Sequence, residues 1–263
     1  MTNWKQIDTY VRQWLKEARL RIFDSFQKTL DIQTKSDRND LVTNIDKETE
    51  EFFTKNIAAN FPDHHIVGEE GFGDTIDKTE GILWIIDPID GTVNFVHQQR
   101  NFAISIGIYE NGKGRLGYIY DVVHDELYFV ESGKGAYFND TPIAKMADTK
   151  VSDAIIGINS SWLIANRHIP ISNLHALVRD SRAARSIGAA SLEFAYVATG
   201  RLDAYISMRL SPWDFAAGRL LVEELGGVVT TVKGELLQTL KSSTVFVSNK
   251  GLHEEILKQY LLK

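Results

Sequence analysis

Apolar positions in the first 30 residues recur every three or four places. Trp4, Ile7, Val11, Trp14, Leu15, Ala18, Ile22 and Phe26 form one stripe, which predicts a helix buried along one face. The polar stretch 34–40 breaks the pattern and reads as a loop. A second helix is predicted from about Thr43, with Ile45, Thr49, Phe52, Phe53 and Ile57 inward and Phe61-Pro62-Asp63 as its stop. Strand-like patterns follow: Ile66-Val67 leads into Gly68-Glu69-Glu70, and the unbroken apolar run 82–86 reads as a buried strand. Residues 102–110 and 115–123 flank Asn111-Gly112-Lys113-Gly114 as a hairpin, and 126–130 and 136–138 extend it into a meander. Beyond about residue 145 the pattern changes. It predicts a strand at 154–158, helical segments near 173–180 and 189–199, a strand at 204–207 and a helix at 213–225. Strands at 228–232 and 244–248 and a last helix from Gly251 complete it. Two α/β halves, 1–145 and 146–263, packed as one unit are expected.

Composition narrows the classes. The 263 residues are 43% hydrophobic and 24% charged, ordinary globular values with enough apolar mass for a sizeable core. Cysteine is absent, which removes disulfides, thiolate nucleophiles and cysteine-based metal sites, and suits a cytoplasmic location. The first residues mix charged and apolar side chains, so no secretory leader is expected. No apolar run approaches the ~20 residues of a membrane-spanning helix. A net charge of −6 argues against a nucleic-acid binder, which carries a basic face.

Gly112-x-Gly114-x-x-Gly117 matches a dinucleotide-binding spacing, but the segment after it is strand-like rather than helical, so a turn is expected. His64-His65 reads as an exposed loop pair. The sharper candidate is Asp87-Pro88-Ile89-Asp90-Gly91-Thr92, at the end of the buried run. Carboxylates there are costly without partners. Pro88 stiffens the approach to Asp90, and Gly91 permits close approach of the main chain. A helix starting near Thr92 would offer free amides to an anion. Acids for a hard cation beside amides for a phosphate make a coherent set. The plainer alternative is an Asp-Gly turn with solvated acids. Thr43-x-x-Asp46 and Ser211-Pro212-Trp213-Asp214 likewise read as helix capping boxes, in which either acid could serve only its helix.

Taken together, four blocks resemble the inositol monophosphatase family of Mg²⁺-dependent, lithium-sensitive phosphatases. They are residues 40–46 (Asp-Leu-Val-Thr-Asn-Ile-Asp), Gly68-Glu69-Glu70, residues 87–92, and residues 213–218 (Trp-Asp-Phe-Ala-Ala-Gly). The resemblance covers nearly the whole chain. It implies an α/β, five-layer αβαβα sandwich of the inositol monophosphatase/fructose-1,6-bisphosphatase type, with a mixed antiparallel sheet in the first half. That half would carry most metal ligands and the second would complete the site. Glu69, Asp87 and the Ile89 carbonyl would hold one Mg²⁺, and Asp87, Asp90 and Asp214 a second. A third, weaker ion would lean on Glu69. Mn²⁺ is expected to substitute, and Li⁺ and Ca²⁺ to inhibit. Thr92 and Asp46 match the pair that activates water, with Glu69 also in the catalytic set. The substrate phosphate would meet Asp90, Gly91, Thr92 and Asp214, while Arg185, Gly188 and Ala190 match a segment near the alcohol part. The loop 35–40 matches a segment that closes over the metals. A homodimer acting on a small phosphorylated metabolite is implied.

One position departs from the pattern. Inositol-hydrolysing members carry glutamate seven places before the motif aspartate, where this chain has Ser207. Serine is shorter and uncharged, so a broadened substrate range is expected. A second phosphate, as in fructose bisphosphate or the 2′-phosphate of NADP(H), would be less repelled. Arg209 stands close by. A regulatory or scaffolding protein that keeps the fold is the non-enzymatic alternative. Retention of every matching acid and of Thr92 favours the enzyme.

Overall fold

The computed structural model describes residues 2–34, 41–74 and 79–263, so the loop expected over 35–40 lies outside the described residues. Helix α1 (Trp4–Ser25) is capped by Asn3, whose side chain accepts from the Gln6 amide at 3.1 Å. Strands β1 (Ile32–Thr34) and β2 (Leu41–Thr43) pair antiparallel and lead into α2 (Asn44–Asn60). Strands β3 (His65–Gly68) and β4 (Ile82–Asp90), helix α3 (Thr92–Gln98), then β5 (Ala103–Glu110), β6 (Lys113–Asp121), β7 (Glu126–Glu131), β8 (Gly135–Phe138) and β9 (Thr141–Pro142) follow. These seven strands, β3 to β9, form one sheet in chain order, parallel only between β3 and β4. The rest of the chain supplies β10 (Ile155–Ile158), α4 (Ile171–Asp180), β11 (Ala183–Arg185), α5 (Ala190–Ala198) and β12 (Ala204–Leu210). It ends with α6 (Pro212–Glu224), β13 (Val228–Thr230), β14 (Ser243–Ser248) and α7 (Lys250–Ile256). Its five-stranded sheet runs β11-β10-β12-β14-β13.

Alternation of side chains across each strand builds the layers. In β4, Trp84 and Ile86 enter the core with Val11 and Trp14 of α1 and Phe53 of α2, whereas Leu83 and Ile85 enter a second core with Phe194 of α5 and Phe215 of α6. Both faces are covered, which is why the run 82–86 carries no polar residue. The same alternation splits the other sheet. Tyr205, Val245 and Val247 face α5 and α6, and Ile206, Met208 and Phe246 face Leu174 of α4 and Leu252 of α7. The five layers are thus α1–α2, the larger sheet, α5–α6, the smaller sheet and α4–α7, the αβαβα order expected.

Glycine sets the closeness of the middle layer. A Cβ at Gly107 would lie 2.9 Å from the Ala216 Cβ, and one at Gly117 would lie 3.0 Å from the Ala217 carbonyl oxygen, so α6 rests directly on β5 and β6. Gly117 therefore serves helix packing. Gly114, also in β6, faces Leu220 of α6, and Gly112 belongs to the two-residue Asn111-Gly112 turn joining Glu110 to Lys113, with positive φ at both turn residues.

The expected elements are present, with shifts that have physical reasons. β1, β9 and β11 span only two or three residues, too few to show a period, and β2 is equally short. β4 runs on through Asp90 instead of stopping at Ile86, and β12 continues to Leu210. His64 is a correction to the exposed-pair reading. Its Nδ1 accepts from the Trp84 indole N–H at 3.0 Å, and its ring stacks on Phe61 at 5.0 Å.

Candidate active site

The end of β4 creates the site. Two residues three apart on a regular strand point to opposite faces. Here the register slips: Asp87 pairs with Ser105 and Asp90 with Ala103, so one extra residue is inserted on β4. That bulge accommodates Pro88, which has no N–H for the ladder, and turns both carboxylates to one side. Asp87 Oδ1 accepts from the Ile89 amide at 3.1 Å, which fixes the turn. The parallel pairing of Gly68 with Ile86 places Glu69 beside Asp87, one step further along. Asp214 arrives from the first turn of α6, its Oδ2 accepting from the Ser211 amide at 2.7 Å. Oxygens of Asp87, Asp90 and Asp214 all lie within 4.8 Å of one another.

This crowding raises the carboxyls. Burial, then the charges of Glu69, Asp90 and Asp214, push Asp87 well above the usual carboxylate range, and Glu69 is hydrogen-bonded to it. Burial and Asp90 push Asp214 the same way. Burial also lifts Asp90, although only to about 6, because three donors at the start of α5 counter it. They are the Ala190 amide (3.0 Å), the Ser191 amide (2.6 Å) and the Ser191 hydroxyl (2.5 Å). Converging carboxylates that are expensive to ionise together, all hard oxygen donors, match the requirements of a divalent cation.

Asp46 shows that the capping and chemical readings are compatible. Its Oδ2 closes the α2 capping box, accepting from the Thr43 amide at 2.9 Å and the Thr43 hydroxyl at 2.5 Å. Its Oδ1 accepts from the Thr92 hydroxyl at 3.0 Å, and the Ile89 carbonyl lies 3.2 Å from the same hydroxyl. Burial raises Asp46 to about 6. Asp214 likewise caps its helix and joins the acidic cluster.

Gly91 precedes α3 with φ of 95°, and a Cβ there would lie 3.0 Å from the Ala189 Cβ and 3.2 Å from the Gly188 carbonyl oxygen. Its close approach is therefore to the protein's own residues 188 and 189, next to Ala190, whose amide donates to Asp90. Arg185 lies exposed at the end of β11, its Nη1 donating to the Ala184 carbonyl at 2.8 Å. Ser207 is buried beside the Tyr205 phenol, which feels the charges of Asp90 and Asp214. Burial first, then the charges of Glu193, Asp90 and Asp214, raises Tyr205 above its ordinary value.

Sequence reading missed three supports. Ser191 grips Asp90. Asn94 Nδ2 donates to the carbonyls of Asn101 (2.8 Å) and Ile187 (2.9 Å), tying α3 to the loop before α5. Glu193, buried and raised to about 7 by burial, accepts from the Ile187 amide at 2.9 Å. Asn94 stands two residues past the recognised block 87–92. Ser191 and Glu193 stand in the first turn of a helix, the only local signal they give.

The sequence profile described as "Inositol monophosphatase family" matches residues 3–261. The inositol-1-monophosphatase of Bacillus subtilis strain 168 is 56% identical over 261 residues, covering 99% of this chain and 98% of that protein. The crystal structure of inositol monophosphate-bound SaIMPase-II superposes with a TM-score of 0.88 at 41% identity, covering 98% of this chain and 94% of that one. An IMPase/NADP phosphatase solved with Mg²⁺ and phosphate gives a TM-score of 0.89 at 35% identity, covering 97% and 94%.

Proposed function

The chain belongs to the inositol monophosphatase family and is a phosphatase; on that premise we propose that Mg²⁺-dependent attack of water releases phosphate from monoesters of small metabolites, inositol monophosphate foremost. The observation that carries this reading is the convergence of Asp87, Asp90 and Asp214 beside a threonine hydroxyl already turned to a buried carboxylate.

Glu69, Asp87 and the Ile89 carbonyl are assigned to one Mg²⁺, Asp87, Asp90 and Asp214 to a second, and Glu69 to a weaker third. Asp90 can ligate while it caps α5, because each carboxylate oxygen has two lone pairs. When bound, the ions supply Lewis-acid polarisation of the phosphoryl group and neutralise its charge. At pH 7 Asp46 is mostly ionised and holds the Thr92 hydroxyl hydrogen toward itself. The lone pairs of Thr92 then accept from the attacking water and aim it. The amides of Gly91 and Thr92, at the positive end of α3, receive phosphate oxygens. Gly188, Ala190 and Ser207 are assigned to the alcohol side, with the exposed Arg185.

Substitution by Mn²⁺ and inhibition by Ca²⁺ and Li⁺ accompany this reading, as does a cytoplasmic homodimer. No described helix is long and apolar enough to cross a membrane.

A second reading, additional activity on fructose 1,6-bisphosphate or NADP(H), is favoured by a cavity of about 540 Å³ lined by Trp162, Arg167, His168, Met208, Arg209 and Ser242, among others. Ser242 lies 3.5 Å from Ser211, the residue whose amide holds Asp214. Two arginines and a histidine in this lining suit a second phosphate.

Phosphate release from inositol 1-phosphate, fructose 1,6-bisphosphate and NADP, with Mg²⁺ and with EDTA, tests both readings. Turnover that persists in EDTA contradicts the metal mechanism, and strict selectivity for inositol phosphate contradicts the second reading.

A further inference from the structure

Helix α2 carries two fully buried carboxylates one turn apart, Asp46 and Glu50. Residues four apart share a helix face, and Asp46 uses that face to hold Thr92. Glu50 belongs to no recognised block and has no part in the mechanism above. Its Oε2 accepts from the Glu70 amide at 2.7 Å and its Oε1 from the Phe72 amide at 2.8 Å. Gly68 lies flat on the same carboxyl: a Cβ there would come within 2.3 Å of the Glu50 Cδ and 2.5 Å of both its oxygens. One carboxylate therefore contacts residues 68, 70 and 72, and Glu69 sits in the middle of the segment it grips.

Glu69 lies just past the end of β3, and its amide reaches the Ile86 carbonyl at 3.3 Å, longer than a good amide hydrogen bond. The two bonds to Glu50 are shorter. We propose that Glu50 is a positioning residue that sets the Glu69 carboxylate against Asp87 for the divalent cation. A single helix face then fixes both the water-orienting pair, through Asp46, and the Glu69 ligand, through Glu50. Glutamine cannot replace it. Only one of its terminal atoms accepts, so its NH₂ group would face one of the two backbone N–H donors.

The inference rests on the metal assignment above, so its test measures metal binding without turnover. Mn²⁺ is titrated into metal-free wild type, Glu50→Gln, Glu50→Asp and Glu51→Gln, with circular dichroism as the check of fold. Glu51→Gln removes the same charge from the next position, which pairs with Lys55 at 2.8 Å. Loss of a ligand's supporting partner weakens metal binding roughly 10–100-fold, and that loss is expected for Glu50→Gln. Glu50→Asp should fall between it and wild type, and Glu51→Gln should bind as wild type does. A merely structural buried acid would lower the unfolding midpoint and leave the Mn²⁺ affinity unchanged. Wild-type affinity in Glu50→Gln, or in Glu50→Asp where the glutamine variant does not fold, overturns the proposal. Absence of Mn²⁺ binding by the wild-type protein would remove the metal assignment itself.

Discussion

Replacing Thr92 by valine deletes one hydroxyl and keeps the side-chain shape. That hydroxyl has a single proton and two acceptors in reach, Asp46 Oδ1 at 3.0 Å and the Ile89 carbonyl at 3.2 Å. The ionised carboxylate is the stronger acceptor, and such a bond contributes roughly 1.5–3 kcal/mol. Asp46 keeps both bonds from Thr43, so the folded protein should tolerate the loss. Catalysis should not. Without the hydroxyl nothing relays the orientation of Asp46 to the attacking water, and positioned proton-accepting groups are worth about 10²–10⁴ in rate. The expected result is a kcat lower by that factor, about 3–5 kcal/mol in barrier. KM and the Mg²⁺ concentration for half-maximal rate should not change. Thr92→Ser restores the hydroxyl and should recover most of the rate. Steady-state phosphate release over a Mg²⁺ series measures all three parameters. A Thr92→Val enzyme with wild-type kcat, or a serine variant as slow as the valine one, refutes the reasoning.

Glu193 gives a prediction in pH. Its folded value, about 7, is raised above 4.5 by burial, so the native state holds its proton more tightly than the unfolded chain does. That contribution to stability is full below about pH 4.5 and is lost as pH rises through about 7. Between pH 5 and 7, metal-free wild type should lose on the order of 2–3 kcal/mol relative to Glu193→Gln. Urea unfolding at the two pH values measures the difference, and a constant gap would refute it. Ser207→Glu tests the second substrate reading. A like charge added near a second phosphate costs about 1–2 kcal/mol at an effective dielectric near 20. Catalytic efficiency toward fructose 1,6-bisphosphate should therefore fall about 5–30-fold against inositol phosphate, and an unchanged ratio would remove the role given to this position.

Much of the architecture is legible in the sequence because both sheets are covered on both faces. The run 82–86 has to be a strand buried on two sides, and the stripe from Trp4 to Phe26 has to be a helix buried on one. The details that escape depend on pairing between distant segments. Nothing local to Asp87-Pro88-Ile89-Asp90 states that the ladder inserts one residue there, yet that bulge is what turns two carboxylates the same way. Asp46 and Asp214 read equally well as helix caps, and the structure shows that each caps its helix and also takes part in the site, Asp46 through Thr92 and Asp214 through the acidic cluster. Ser191 and Glu50 were invisible because their partners are backbone or carboxylate groups 101 and 20–22 positions away. Arg185, carried over from the resemblance, is exposed at the end of its strand.

The central claim is that the carboxylates of Glu69, Asp87, Asp90 and Asp214 form a divalent-cation site that receives phosphate. Diffraction from crystals soaked in Mn²⁺ and inorganic phosphate, recorded at the manganese edge, tests it most directly. Anomalous peaks are expected in contact with Asp87, at least one of them shared with Asp90 and Asp214, with phosphate density between them and the first amides of α3. Manganese bound elsewhere, with Asp87 left without an ion at saturating Mn²⁺, would contradict it.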